Sequence, residues 1–324
     1  MKDKIKLLLT SSPFLYQLAC YIYNFLKHPE RMMSRYSNKD FLTDGTAFVV
    51  RPNSEDGIQG LLSLASQSLR WVDYANKKGY VPIVDYKNYT TQYGNGRDNA
   101  WEYFFQQPGE VGIELLDSYK DVVISGVTLK SKVDMRILSG DVFFNNEIFQ
   151  ESARILNQFF ALSKDVNDTV DKEAEQLNIE ECIGVYIRGT DYTMLKPTGE
   201  FVQPDIEDVI KVLDDFVSKY DTNLFLVTED YNNYKKLSDH FGSRIVIVSF
   251  DSFIKDYNSN TYLSKSGVLG EDKRTRGIQY LAKIVLLSKC RFLVSSITKG
   301  SVFAYCLNNH RYEDEYIFNL GVYR

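Results

Sequence analysis

Three short apolar segments, each followed at once by charged or hydroxyl residues, constrain the fold of this 324-residue chain more than any other feature. We predict strands at 183–187, 224–228 and 291–295. Between and after them, apolar residues recur at helical spacing and predict helices over 205–219, 231–241, 276–288 and 300–308. Buried strands that alternate with helices form a parallel sheet covered on both faces. The carboxyl ends of such strands meet at one edge, where open α/β sheets bind ligands.

The polar residues at these strand ends suit an anionic ligand. Arg188 follows the first strand, and a guanidinium presents a planar fork of donors to phosphate. The residues from Thr298 to Ser301 open a helix, whose first N–H groups attract anions. We therefore expect an anionic ligand at this edge of the sheet.

The length of the chain favours two domains. An earlier strand–loop–helix–strand unit runs from Ala47 to Asp85, with Gly57 and Gly60 at its first turn. The polar, aromatic loop that follows carries Arg97 and Trp101, which we expect to line a substrate cleft. A polar stretch near 165–175 is the expected boundary. We predict an N-terminal segment at 1–40 and an acceptor-side α/β domain at 41–178. A nucleotide-sugar-binding Rossmann-like domain is predicted at 179–324.

Composition excludes several kinds of function. A net charge of −5 and a pI of about 5.4 argue against a nucleic-acid partner. The four cysteines form no CxxC pair, and the three histidines lie far apart in sequence, so we expect no metal site. Unpaired cysteines are typical of a reducing compartment, which predicts a cytoplasmic location.

The aromatic, basic segment 1–40 contains no apolar run of the length that a membrane-spanning helix needs. Lysines and arginines flank its apolar residues. Two interpretations stay open: the segment lies on the inner face of the plasma membrane as a peripheral contact, or it packs on the body of the protein.

The segment Tyr186-Ile-Arg-Gly-Thr-Asp-Tyr192 resembles the His-x-Arg-Arg-(Thr/Gly)-Asp signature of the fucosyltransferase superfamily, which includes α1,2-, α1,6- and protein O-fucosyltransferases. Leu226–Asp230 and Leu286–Thr298 resemble its second and third motifs. The resemblance implies a GT-B-like α/β fold, in which two Rossmann-like domains face a central cleft. It also implies an inverting transferase with a nucleotide-sugar donor and neither metal nor cofactor. GDP-fucose is the first donor to expect. Trp101 to Pro108 and Tyr316 to Tyr323 also resemble bacterial polysaccharide-locus transferases. The expected acceptor is a hydroxyl of a cell-surface polysaccharide or of its lipid-linked precursor.

Site residues follow from the same resemblance and from the chemistry of the leaving diphosphate. Arg188 matches the arginine that contacts the donor β-phosphate, and Glu200 is the candidate base. Asp191 would orient Arg188, contact sugar hydroxyls or cap the turn. The other expected donor-binding residues are Thr190, Thr228, Glu229, Asp230, Lys283, Ser295, Ser296, Thr298, Lys299, Gly300 and Ser301. The expected acceptor-side residues are Gly57, Gly60, Arg97 and Trp101.

Three positions depart from the family pattern. Tyr186 replaces the histidine, Gly189 replaces the second arginine, and Lys283 replaces an acid that pairs with guanine. A lysine cannot accept the guanine N–H groups, so either Glu229 or Asp230 accepts them instead or the donor carries another base. The alternatives are a transferase that uses another nucleotide sugar, such as a UDP-sugar, and a non-catalytic relative that binds nucleotides or glycans.

Overall fold

The computed structural model describes residues 22, 26, 43–52, 59–89, 91–125, 134–258, 260–263, 270 and 272–324. The N-terminal segment predicted at 1–40 lies almost entirely outside these residues, as does Gly57. Within the described ranges, no helix is both long enough and apolar enough to cross a membrane. The described residues divide into two compact units: one lies within the ranges Met1–Gly57, Ser63–Met135 and Gln158–Ala161, and the other within Ile58–Leu62, Arg136–Asn157 and Leu162–Arg324.

The first unit is built on a three-stranded parallel sheet. Its strands are β1 (Thr43–Val50), β2 (Val81–Val84) and β3 (Tyr119–Ile124), in the order β2-β1-β3, and helix α1 (Leu61–Lys77) connects β1 to β2. Val49 lies opposite Ile83 on one side and Ile124 on the other, and is fully buried. Continuous apolar runs, such as Ala47 to Val50 in β1, are typical of parallel strands that are buried on both faces.

The second unit is built on a five-stranded parallel sheet in the order β6-β5-β4-β7-β8. The strands are β4 (Ile183–Tyr186), β5 (Leu224–Val227), β6 (Ile245–Val246), β7 (Phe292–Ser296) and β8 (Asp314–Phe318). The helices are α2 (Asn146–Phe159), α3 (Lys164–Leu177), α4 (Thr190–Leu195), α5 (Ile206–Tyr220), α6 (Tyr231–Phe241), α7 (Lys273–Lys289) and α8 (Lys299–Asn308). The predicted alternation of strands and helices is confirmed, and one hydrophobic core packs β4, β5 and β7 against α5.

The observed units divide the chain differently from the predicted domains. Residues 136–157 and 162–178, which we assigned to the first domain from the sequence, belong to the second unit. Helix α3 is held there because its buried Glu173 accepts a hydrogen bond from the Ser249 backbone N–H at 2.7 Å. At the start of the same helix, Asp165 lies 2.7 Å from the guanidinium of Arg274. A polar stretch in sequence therefore marks helix α3 rather than a linker.

Candidate functional site

Strands β4, β5 and β7 end at the same edge of the second sheet. Tyr186, the last residue of β4, lies opposite Val227 on one side and Ser295 on the other. The chain proceeds from β4 outward to β5 and β6, then returns to the other side of β4 with β7 and β8. The carboxyl ends of β4 and β7 therefore flank the point where the strand order reverses, which is where doubly wound sheets bind ligands.

Arg188 is a cation at this edge, and its side chain is 19% exposed. Its Nε donates to Glu229 Oε1 at 3.0 Å, and its Nη2 donates to Asp191 Oδ1 at 2.9 Å. The guanidinium carbon also lies 4.5 Å from the ring centre of Tyr192. Burial opposes the charged form, but the groups around it, Glu229 first and then Tyr186, Tyr192 and Asp191, together outweigh it, so the pKa of Arg188 is raised above its usual range. The side chain is both charged and fixed in direction.

Glu229 holds the whole turn that carries Arg188. Besides Arg188, its Oε1 accepts the Gly189 backbone N–H at 3.0 Å and the Thr190 hydroxyl at 2.9 Å. Thr190 is buried and has a φ of 45°, in the left-handed region that costs a β-branched residue energy. These contacts stabilise that conformation. We predicted Glu229 and Thr190 as donor-binding residues. In the structure, both help to hold the turn that carries Arg188.

Asp230 and Asp191 also hold the turn that carries Arg188. Asp230 Oδ2 accepts the Thr190 backbone N–H at 3.1 Å, and its Oδ1 caps helix α6 by accepting the Asn233 N–H at 3.0 Å. Asp191, 4% exposed, accepts the Leu263 backbone N–H on its second oxygen at 3.0 Å. Asp191 therefore makes the orienting contact to Arg188 that the sequence suggested.

Gly189 is explained by the same turn. A Cβ at this position would lie 2.6 Å from both Cβ and Oδ2 of Asp230. Real Cβ atoms do not approach other atoms so closely, so a larger residue would push Asp230 away from Thr190. The turn thus excludes the second arginine of the family pattern.

Tyr186 packs against the first turn of α8. A Cβ on Gly300 would lie 2.5 Å from Cε1 of the Tyr186 ring, so the glycine makes room for the tyrosine. The Tyr186 hydroxyl lies 3.4 Å from that of Tyr280, whose pKa is raised above its usual range by burial. The tyrosine that replaces the family histidine is therefore packed against Gly300 and Tyr280.

The predicted hydroxyl ligands make hydrogen bonds within the protein. Thr298 and Ser301 form a reciprocal cap at the start of α8: Ser301 Oγ accepts the Thr298 N–H at 2.8 Å, and Thr298 Oγ1 accepts the Ser301 N–H at 3.3 Å. Lys299 donates to the Leu138 carbonyl at 2.7 Å. The remaining predicted hydroxyls are buried and make internal bonds: Thr228 to the Asp230 N–H, Ser295 to the Tyr186 carbonyl and Ser296 to Gln203.

Lys283 faces an acid that the sequence did not reveal. Its ammonium lies 2.8 Å from Oδ1 of Asp251, in the segment after β6, and the Asp251 side chain is 1% exposed. Among the described residues, Asp251 Oδ2 has no hydrogen-bond partner. Burial raises the pKa of Asp251, and the charge of Lys283 opposes that effect. The pair lies 32 positions apart in sequence, so no local motif could have identified it.

Glu200 lies on an exposed loop between α4 and α5. The pKa of Tyr192 is raised mainly by burial, the charge of Arg188 opposes that effect, and the charge of Glu200 adds to it. The candidate base therefore lies near enough to Tyr192, the residue stacked on Arg188, to influence it electrostatically.

The acceptor-side residues lie in different settings. Trp101 is 0% exposed and its indole N–H donates to the Gln106 carbonyl at 3.0 Å, so our prediction that it lines a cleft is wrong. The aromatic residues around it fold inward, with Phe105 at 4.4 Å between ring centres. Arg97 is exposed in a turn closed by Asn95, and Gly60 is exposed just before α1.

Arg51 is a residue that the sequence analysis missed. It follows β1 directly, is 5% exposed, and donates from Nε to the Ser125 carbonyl at 3.1 Å. The signal was the same one that identified Arg188: an arginine at the carboxyl end of a buried parallel strand.

No protein-family model and no curated protein matches the sequence. Solved structures do match. POFUT1 in its apo form aligns with a TM-score of 0.50 at 8% identity, over 85% of this chain and 99% of that chain. The NodZ α-1,6-fucosyltransferase soaked with GDP-fucose aligns with a TM-score of 0.46 at 15% identity, over 81% of this chain and 92% of that chain. A crystal structure of fucosyltransferase NodZ from Bradyrhizobium also matches. A mutant of Arabidopsis thaliana FUT1 in complex with GDP aligns with a TM-score of 0.47 at 10% identity, over 94% of this chain and 79% of that chain.

The chain has the fold of the fucosyltransferases. This conclusion comes from POFUT1, which is matched over nearly its whole length, together with the parallel sheets described above. The α/β fold with parallel sheets that the three sequence motifs implied is thereby confirmed. POFUT1 was also determined in complex with GDP.

Proposed function

We propose that the protein is an inverting, metal-independent glycosyltransferase. It transfers a sugar, first of all fucose from GDP-fucose, onto a hydroxyl of a cell-surface polysaccharide or its lipid-linked precursor. The proposal draws on the fold, on the three motifs and on the structures with which the fold is shared, among them NodZ soaked with GDP-fucose and POFUT1 with GDP. The cytoplasmic face of the membrane is the proposed place of action, reached through the basic segment 1–40.

The observation that carries the proposal is the fixed, charged guanidinium of Arg188. Its bonds to Glu229 and Asp191 use only part of the donors of a guanidinium, so further N–H groups are available to a phosphate. When the glycosidic bond breaks, the leaving diphosphate gains negative charge. A cation that is already oriented stabilises this charge without reorganisation, and that favours the transition state over the bound donor.

A panel of GDP-, UDP-, dTDP- and CMP-sugars tests the donor side by thermal shift. Ligand at about 100 times its Kd stabilises the native state by about 2.7 kcal/mol, which is easily detected. We expect GDP-fucose to give the largest shift, and nucleotide to be released when acceptor glycan is added. Absence of a shift with all four would contradict the proposal, and a shift without nucleotide release would indicate the non-catalytic relative.

The pairing of Lys283 with Asp251 bears on the base of the donor. Glu229 and Asp230 already accept bonds from the Arg188 turn, so they are poor partners for guanine. Asp251 offers a carboxylate oxygen beside Lys283, and the segment that carries it reaches the Glu229 carbonyl through the Ile254 N–H at 2.8 Å. A carboxylate suits the N–H groups of guanine, whereas the lysine suits a carbonyl of a pyrimidine.

This observation keeps a UDP-sugar as the second candidate donor. Calorimetry of GDP against UDP distinguishes the two, with Asp251→Asn as the matched variant because it keeps the shape but removes the charge. We expect GDP to bind more tightly and Asp251→Asn to weaken GDP more than UDP. UDP binding tenfold tighter than GDP, about 1.4 kcal/mol, would exclude fucose as the sugar and leave the transferase proposal in place.

A further inference from the structure

Residues 321–323 form a short antiparallel ribbon with the loop that carries Glu200, and we call these two segments, 199–203 and 321–323, the tail ribbon. Three backbone hydrogen bonds join them. The Gly199 N–H donates to the Tyr323 carbonyl at 2.9 Å, the Tyr323 N–H donates to the Glu200 carbonyl at 2.9 Å, and the Val202 N–H donates to the Gly321 carbonyl at 3.0 Å. Phe201 and Val322 form the bridge between them. The backbone of Glu200 is therefore bonded directly to Tyr323.

The tail ribbon is also fixed to the sheet. Ser296, the last residue of β7, donates its hydroxyl to Gln203 Oε1 at 2.6 Å, and both residues are buried. The Gln203 backbone N–H donates to the Tyr323 hydroxyl at 3.3 Å. On the other side, the Phe201 ring lies where a Cβ on Gly140 would come within 2.5 Å of it. Because both ends are held, the loop has little freedom to move relative to the strand ends.

The Glu200 side chain extends from this fixed loop and is exposed. Its charge is felt at Tyr192, which lies against the guanidinium of Arg188. An inverting transfer requires a carboxylate that can take the proton of the acceptor hydroxyl. The acceptor oxygen attacks the anomeric carbon, the bond from that carbon to the diphosphate breaks, and the proton of the acceptor hydroxyl moves to the carboxylate.

We infer that the tail ribbon is a positioning device for Glu200, with Tyr323 as its principal positioning residue. The inference rests on the proposed transferase function and adds to it a segment remote in sequence from the three motifs. Tyr323 acts through the backbone of Glu200 and touches neither donor nor acceptor in this role. Misplacement of a catalytic group by about 1 Å costs roughly a hundredfold in rate.

The test replaces Tyr323 by proline, which removes the N–H that bonds to Glu200 and the hydroxyl that accepts the Gln203 N–H. The matched control is Arg324→Pro, which introduces the same ring one residue later, at a backbone N–H that bonds to no described residue. We expect Tyr323→Pro to lower kcat about a hundredfold while the Kd for GDP, measured by calorimetry, stays within twofold of wild type. Arg324→Pro should retain wild-type kcat and Kd.

A double-mutant cycle with Glu200→Gln separates positioning from general loss of structure. If Tyr323 acts through Glu200, Tyr323→Pro lowers kcat little further once Glu200→Gln is present, because the two changes are not additive. Additive losses, a matching loss of GDP affinity, or unchanged kcat in Tyr323→Pro would each overturn the inference. A wild-type protein that transfers no sugar from any nucleotide donor would instead overturn the proposed function, and the two failures are therefore distinct.

Discussion

Arg188 is held from two sides by Glu229 and Asp191 and stacked on Tyr192, and this environment decides how a change at the residue acts. Lysine would keep the positive charge but could not maintain two separate bonds at fixed angles while also facing a phosphate. A cluster of two carboxylates and one cation therefore needs the planar fork of arginine.

We predict that Arg188→Lys lowers turnover roughly a hundredfold or more, because the oriented donors to the leaving group are lost. Folding should survive, since the charge is retained and the residue lies beyond β4. The matched control is Arg244→Lys, at an arginine 38% exposed that pairs with Asp221 far from the Arg188 turn in sequence. A folded Arg188→Lys protein with near-normal turnover, measured by nucleotide release, would show that Arg188 does not stabilise the leaving group.

At the scale of elements, the end of β4 meets the start of α8 through one pair of residues, Tyr186 and Gly300. Two effects of Gly300→Ala compete. Alanine favours helix by up to about 1 kcal/mol, whereas its Cβ would lie 2.5 Å from the Tyr186 ring. Overpacking a buried contact costs about 1–3 kcal/mol, and Tyr186 has little room to yield because it is 2% exposed. We expect the steric cost of the added Cβ to exceed the gain in helix propensity.

We therefore predict that Gly300→Ala lowers the free energy of unfolding by about 1 kcal/mol or more, measured by urea denaturation. The control is Gly60→Ala, where no atom lies within 4 Å of the added Cβ and the change should stay within about 0.5 kcal/mol. Equal or greater stability in Gly300→Ala would mean that the strand and helix can separate slightly at no cost.

At the scale of the whole molecule, the second unit brings Arg188 and its supporting carboxylates to the edge where the strand order reverses. Glu229 and Asp230 are the neighbouring acids that could have presented a metal, but their oxygens accept bonds from Arg188, Gly189, Thr190 and Asn233. A metal bound through Glu229 Oε1 or through either Asp230 oxygen would displace these hydrogen bonds.

We accordingly predict that sugar transfer persists in excess EDTA, because Arg188 supplies the positive charge that a metal would otherwise provide. Turnover should be equal, within error, with and without chelator. Complete loss on chelation, restored by Mn²⁺ or Mg²⁺, would assign Glu229 and Asp230 to a metal site and place the protein in another class of transferase.

Much of the second unit could be predicted from the sequence because its determinants are local. Runs such as Leu224–Val227 are apolar at every position, which identifies strands buried on both faces, and the helices between them have regular apolar spacing. The rule that parallel strands end at one edge then placed Arg188 at the ligand side of the sheet. Even the boundary of helix α6, predicted at 231–241, agrees with the structure.

The tertiary structure alone decided what each polar side chain contacts. A carboxylate next to a strand end can bind a ligand, a metal or a neighbouring arginine, and Glu229 bonds to Arg188 from 41 positions away. The burial of Trp101, the pairing of Lys283 with Asp251 and the bond from Tyr323 to Glu200 depend on the same kind of distant contact. Local sequence determines backbone preference and burial pattern, whereas hydrogen-bond partners are fixed only when distant segments pack together.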